Sequence, residues 1–346
     1  MDDLARKRAA LMDADDQASV REVADQLYCI PLPDTYSTLG RPTNCYVVDG
    51  PAPALINAGH PAQQPALMAG LEKIGVRPEA VERVIATSWR LDILGGAMAF
   101  PQADRFICSP DMVTPRDYEA YLETRRKRWD GAAQALATHN DEFDGELVGQ
   151  AIADYFVATT RDLRFIPLSN GHILRAGELS LEVLRCGGPG PGHMALYDSE
   201  RGILFSGDLA LSGLPDRLDD TQAYLVSMER LAKLPSEQVF PNQGRDYRQG
   251  RWTVARAANF INNFLSNAPS ALVRQPTVLE FVMRDQGLDA SEPVELLKAC
   301  QRFESLLEEL VRARKIAAEG EGAGRRYGVD VDDPRDQVRK SGEKPA

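Results

Sequence analysis

Histidine is scarce in this chain, with four among 346 residues: His60, His139, His172 and His193. None falls in "VIATSWRLDILGGAMAF", residues 84–100, a stretch with an apolar strand, a small-residue turn and a Gly-Gly helix start. Also missing is any apolar run near the ~20 residues needed to span a bilayer, which argues against a membrane-crossing helix. The opening "MDDLARKRAALMDADDQ" lacks the unbroken apolar core of a secretory signal, so a cytoplasmic location is expected. Positive charge is in deficit. The formal net charge is −11, whereas general nucleic-acid binding needs a basic surface to displace counterions from phosphates. No C-x-x-C pair occurs. The five cysteines (Cys29, Cys45, Cys108, Cys186, Cys300) are odd in number and scattered, which fits free thiols in a reducing compartment better than a disulfide framework. There is no internal repeat and no low-complexity tract.

What is present is an ordinary globular composition, 43% hydrophobic and 26% charged, at a length that suits one large domain and a small one. Residues 1–26, rich in Ala, Leu, Arg and Met, read as a helix. Short apolar runs broken by Gly, Pro and Asn follow ("LYCIPL", "NCYVVDG", "ALINAG"), as in a meandering sheet. "PAQQPALMAGLEKIG" has the early Pro and late Gly of a helix, and "RVIATS" and "DRFICSP" read as strands. Residues 111–165 are long, polar and helix-favouring, the pattern of an inserted helical pair. "GHILRAGELSLEVLRC" and "HMALYDSERGILFSGDLAL" return to strands, then come the amphipathic helix "TQAYLVSMERLAKL" and the strand "EQVFPNQG". Two similar runs of strands and helix imply a layered α/β sandwich. From about residue 254 three helices, the last over "ELLKACQRFESLLEELVRARKIAAEG", precede a short strand, "GRRYGVDV", in the outline of a winged-helix module. The polar end, residues 333–346, is expected to be disordered.

Five segments, in order, resemble the metallo-β-lactamase fold family over roughly residues 27–250. They are "NCYVVDG…ALINAG", with Asn57 where Asp is usual, "TSWRLDILGGA" on the family's T-H-x-H-x-D-H-x-G-G loop, "CGGPGPGHMALYD" on its T-P-G-H segment, "LFSGDLAL" on its G-D strand end, and "VFPNQG" on its terminal P-G-H-G turn. The resemblance implies an αββα sandwich, here with a helical insertion at about 111–165. Residues 251–332 would be a winged-helix-like domain similar to the appendage of the β-lactamase-like 2 branch.

The same resemblance implies a two-metal hydrolytic centre held by imidazoles and carboxylates. Carried over position by position, the imidazoles are gone: Ser88, Arg90 and Ile93 stand in the first segment, Pro189 in the third and Gln243 in the last. Asp92 and Asp208 remain, as does His193, at a position that is usually not a ligand. Ile93 and Pro189 offer no side-chain donor, and the Arg90 guanidinium stays protonated and repels a cation. The expectation is a vestigial cleft of Ser88, Arg90, Asp92, Ile93, Pro189, Asp208 and Gln243 without catalytic residues or cofactor. Two carboxylates in one cleft repel once their metals are removed, so Arg90 is expected to pair with Asp92 and Asp208 through charge-assisted hydrogen bonds. The alternative is an Arg90 that faces solvent.

Other residues offer alternatives. His60 and His193 could join Asp92 and Asp208 in a rewired site for Zn, Fe or Mn, and Ser88, Asp92, Asp208 and Gln243 could form an all-oxygen site for Mg²⁺ or Ca²⁺. Arg90, His60 and His193 are the ligand-binding candidates. His139 and His172 carry no expected role. "CGGPGPGH" lacks the Lys-Ser/Thr of a phosphate loop. Cys186 on that rim could be a nucleophile, with a buried strand-end thiol as the plainer reading. Arg312, Arg314, Lys315, Arg325 and Arg326 bracket the expected wing, diluted by Glu308, Glu309, Glu319 and Glu321.

The function these residues imply is non-catalytic, a regulatory or scaffold protein taking a small ligand or a protein partner, with self-association through the helical insertion. The alternatives are a hydrolase of thioesters, esters or phosphodiesters with a non-standard metal site, and a nucleic-acid-binding regulator acting through the wing.

Overall fold

The computed structural model describes residues 19–33, 42–108, 120, 123 and 164–329, with short gaps in the last range at 191, 212–214, 216–217, 247, 273, 289–292 and 322–323. Residues 1–18, nearly all of the helical insertion and the tail beyond 329 therefore lie outside the described residues.

Seven strands form the first sheet in sequential order: β1 (Arg21–Ala24), β2 (Leu27–Leu32), β3 (Thr43–Val48), β4 (Ala54–Ile56), β5 (Arg83–Ala86), β6 (Asp104–Cys108) and β7 (Ile166–Leu168). The first four pair antiparallel; β4 to β7 run parallel. Parallel neighbours need crossovers. Those among the described residues are α1 (Gln64–Lys73) between β4 and β5, and the short α2 (Leu91–Leu94) with a 3₁₀ turn (Gly95–Ala99) between β5 and β6; the β6–β7 connection lies almost wholly outside them. The second sheet holds β8 (Ile173–Ala176), β9 (Leu179–Arg185), β10 (Met194–Asp198) and β11 (Ile203–Gly207) as an antiparallel meander. Beyond α3 (Thr221–Ala232), β12 (Gln238–Pro241) adds parallel to β11.

Side-chain alternation along the strands divides the core into layers. Tyr46, Val48, Val183, Met194, Leu196, Ile203 and Phe205 fill the space between the sheets. Their neighbours Cys45 and Val47 face outward against Leu67 and Leu71 of α1. Ala195, Tyr197 and Leu204 face the opposite way, against α3 and the C-terminal helices. The result is the expected αββα sandwich.

Where the helix expected over residues 1–26 enters the described residues, the chain forms β1 instead. Asp25 and Gln26 form a turn with Gln26 at φ 55°, so the segment folds back and pairs Arg21 with Cys29. Sheet pairing overrides the helix preference of Ala and Arg there.

After β12 come α4 (Gly250–Ala271), α5 (Val278–Gln286), α6 (Pro293–Arg312) and a hairpin of β13 (Ala317–Glu319) and β14 (Arg326–Gly328). Val254, Ala257, Ile261, Leu265 and Ala268 are buried at helical spacing along α4. Thr277 and Glu280 close a reciprocal capping box at the start of α5. β13 corrects the sequence reading, which carries the last helix through "KIAAEG". The sequence places a boundary at residue 251; across it, α4 to α6 share apolar packing with the sandwich. Phe281, Phe303, Leu307 and Tyr327 belong to one apolar cluster with Ala195, Tyr197, Leu204 and Val239 of the second sheet.

Candidate functional site

The site lies where β4, β5, β11 and β12 end. Each strand hands its next residue to one buried polar network: Asn57, Thr87, Asp208 and Asn242, all nearly inaccessible to solvent. Asn57 sits at φ 64°, a left-handed turn that Asn tolerates. Its Nδ2 donates to Asn242 Oδ1 at 2.6 Å, and its Oδ1 accepts from the Thr87 backbone N–H (3.1 Å) and hydroxyl (2.9 Å). Asn242 Nδ2 in turn reaches Asp208 Oδ1 at 3.2 Å. Asn44 and Tyr46 complete the support. The Asn44 N–H donates to the Asn242 carbonyl at 2.7 Å, and the Tyr46 hydroxyl donates to that of Pro241 at 2.7 Å. Beneath them the rings of Tyr46, Phe205 and Phe240 stand 5.4–5.5 Å apart. Buried amides linked this way hold strand ends of both sheets in one register.

Arg90 is the N-cap residue of α2, and its guanidinium turns toward this network. Nε donates to Asp92 Oδ1 at 2.9 Å, Nη2 to Asp92 Oδ2, and Nη1 crosses to Asp208 Oδ2 at 3.1 Å. The arginine side chain is 13% exposed, Asp92 24% and Asp208 1%. Arg90 therefore does not face solvent. Its fork lies against Asp92 through two nitrogens, the geometry that makes Arg–carboxylate pairs strong.

His193 is spent on structure. Its Nε2 accepts the Asp208 backbone N–H at 2.9 Å, which leaves the proton of the neutral ring on Nδ1. Burial, opposed by nearby Asp208 and reinforced by Arg90, pulls its pKa down to about 4. The unfolded histidine titrates near 6.5, so the folded state resists protonation, and stability is full above that pH and falls as pH drops toward 4. The difference corresponds to about 3 kcal/mol. Denaturant unfolding of wild type and His193→Gln across that window should show a slope that the variant lacks; parallel curves would refute it.

The remaining candidates separate. Ser88 and Gln243 are buried at the strand ends, and Gln243 bridges Thr43 through its backbone. Ile93 belongs to an apolar cluster with Ala86, Trp89, Leu94 and Ile107. Pro189 is buried in the glycine-rich loop. His60 caps the 3₁₀ turn Pro61–Gln63, its Nδ1 accepting from the Ala62 N–H at 3.1 Å. His172 lies in the turn between β7 and β8, and His139 lies outside the described residues. Among the described residues no three His, Cys, Asp or Glu side chains come together in a group that could hold a metal ion.

The glycines of "CGGPGPGH" serve packing. Gly188, at φ 114°, lies so close to α3 that a Cβ would fall 2.5 Å from Tyr224 Cα, and its carbonyl accepts from the Asp219 and Asp220 N–H groups. Cys186 is buried, with Arg230 Nη2 3.3 Å from its sulfur, and burial raises its pKa despite that cation. All five cysteines are buried, and none is disulfide-bonded. Ellman's reagent should titrate none of them in the native protein and five after denaturation; one fast native thiol would identify a reactive site. Of the wing cations, Arg325 is held by Glu308 at 2.8 Å, Arg326 by Glu280 at 3.3 Å and Arg312 by Glu309 at 2.8 Å.

Sequence reading misses Asn242, Thr87, Asn44 and Tyr46. Asn242 after Pro241 reads as a turn former, and the shared role of these residues shows only where the ends of β5 and β12 meet β3.

The metallo-beta-lactamase superfamily model matches residues 38–243. A metallo-beta-lactamase family protein from Thermus thermophilus superposes with a TM-score of 0.66 at 21% identity, covering 89% of this chain and 100% of that one. A beta-lactamase domain protein from Burkholderia ambifaria gives 0.64 at 18% identity, covering 90% and 95%. An uncharacterized protein of Aquifex aeolicus (strain VF5) is 30% identical over 94 residues, 27% of this chain; the chain spans only 42% of that relative's length. With the family model matching more than half its length, the chain belongs to the metallo-beta-lactamase superfamily.

Proposed function

We propose that this chain is a non-catalytic member of the superfamily, a cytoplasmic regulatory or scaffold protein that takes a small ligand or a protein partner. The observation that carries this reading is the Arg90 guanidinium seated between Asp92 and Asp208. The donor set does not fit a pair of metal ions. Ile93 and Pro189 have no side-chain donor atom, Arg90 is a fixed cation, and each of the four carboxylate oxygens of Asp92 and Asp208 already accepts a hydrogen bond. The polar network around them suits a rigid structural core. Five buried thiols without a disulfide agree with a reducing compartment, and no helix among the described residues is long and apolar enough to cross a membrane.

Three helices followed by a hairpin support the winged-helix reading of the C-terminal region. Acting on nucleic acid through it gains no support, because Arg325 and Arg326 are engaged by glutamates.

Metal analysis of protein purified without chelator tests the proposal. Zinc, iron and manganese are expected well below one equivalent. Stoichiometric metal that disappears in Asp208→Ala would replace this reading with that of a hydrolase.

A further inference from the structure

We infer that the pair Asp92–Asp208 is a cation site that the chain fills from within, the Arg90 guanidinium acting as an internal counter-cation that clasps the two sheets together. The inference rests on the non-catalytic reading above and assigns the cleft its physical task. All three guanidinium nitrogens are engaged, each by a carboxylate oxygen. One carboxylate is two residues away in the first turn of α2; the other is 118 residues away, at the end of a strand in the second sheet. The contact with Asp92 thus orients the fork, and the contact with Asp208 joins the halves. Asp208 has almost no access to water, and its other oxygen receives the neutral amide of Asn242. A buried carboxylate held by one neutral donor and one cation depends on the cation for its charge balance. Lysine would supply charge without the planar fork that spans both acids.

This assignment differs from one in which Arg90 acts only as apolar filling. In the first case the damage done by losing Arg90 comes from the orphaned charge of Asp208; in the second it comes from lost contacts. Thermal unfolding of wild type, Arg90→Ala and Arg90→Ala/Asp208→Asn separates them. The single variant is expected to melt several degrees lower or fail to fold. The double variant, which removes the orphaned charge, should recover most of the loss. Low millimolar guanidinium should raise the melting temperature of Arg90→Ala and leave wild type unmoved. A single variant as stable as wild type overturns the inference, as does a double variant that melts no higher than the single or folds no better. A wild-type protein carrying stoichiometric metal would instead overturn the non-catalytic reading, so the two failures are distinguishable.

Discussion

Arg90→Ala is expected to cost about 3–5 kcal/mol of unfolding free energy, a large part of the margin that keeps a domain folded. Desolvation sets the size of the effect. An exposed ion pair contributes about 0–1 kcal/mol because water solvates each partner once the other is gone. Asp208, 1% exposed, has no such recourse. Its Oδ2 loses the guanidinium that balances it, and Asn242 keeps its hydrogen bond to Oδ1. Asp92, at 24% exposure, can rehydrate and should add little. The asymmetry yields a ranking: Arg90→Ala should hurt far more than Asp92→Ala, although both remove half of the Arg90–Asp92 fork. Urea unfolding at neutral pH measures both. A loss below about 1 kcal/mol in Arg90→Ala would mean the pair behaves as a surface contact.

The second large effect is expected from Gly96→Ala, about 3 kcal/mol or more. A methyl group there would sit 2.0 Å from the carbonyl oxygen of Ala58 and 2.9 Å from its carbon. Neither is the movable end of a side chain. Ala58 is tied down by its N–H to the Ile93 carbonyl at 2.8 Å, and Gly96 by its own N–H to the Gly59 carbonyl at 2.7 Å. Relief requires the two loops to part, which would break those bonds and carry α2, with Arg90 at its start, away from Asp208. Gly324→Ala is the matched control, with no described atom within 4 Å of its added methyl, and should stay within about 0.5 kcal/mol of wild type. Equal behaviour of the two variants would refute the close-approach account.

This close approach also explains why "LDILGGA" keeps its frame without histidine. Gly-Gly is required by how the 91–99 segment lies against the 57–61 loop, whatever occupies the cleft beside it. Leu91, Ile93 and Leu94 bury themselves in a small apolar cluster with Trp89 and Ile107. Glycine spacing and apolar strands are therefore readable from the chain alone, because they answer to local sterics and to burial. The arginine's reach to both acids is readable once the order of segments places Asp92 and Asp208 in one cleft. The Asn57–Thr87–Asn242 network is not. Amides and hydroxyls at strand ends follow no period, and their partners lie 30, 155 and 185 residues apart. Strand β1 escapes for a related reason: "REVA" has no pattern of its own, and its extended form comes from pairing with β2. Short β13 depends likewise on β14.

The apolar cluster that joins α4, α5 and α6 to the outer face of the second sheet has one more implication. A segment whose interior is continuous with its neighbour's is coupled to it in unfolding. Shortening the chain ahead of α4 would uncover the side of α3 against which α4 packs, and with it part of the shared apolar cluster. Sandwich and appendage are therefore expected to unfold together, in one calorimetric transition.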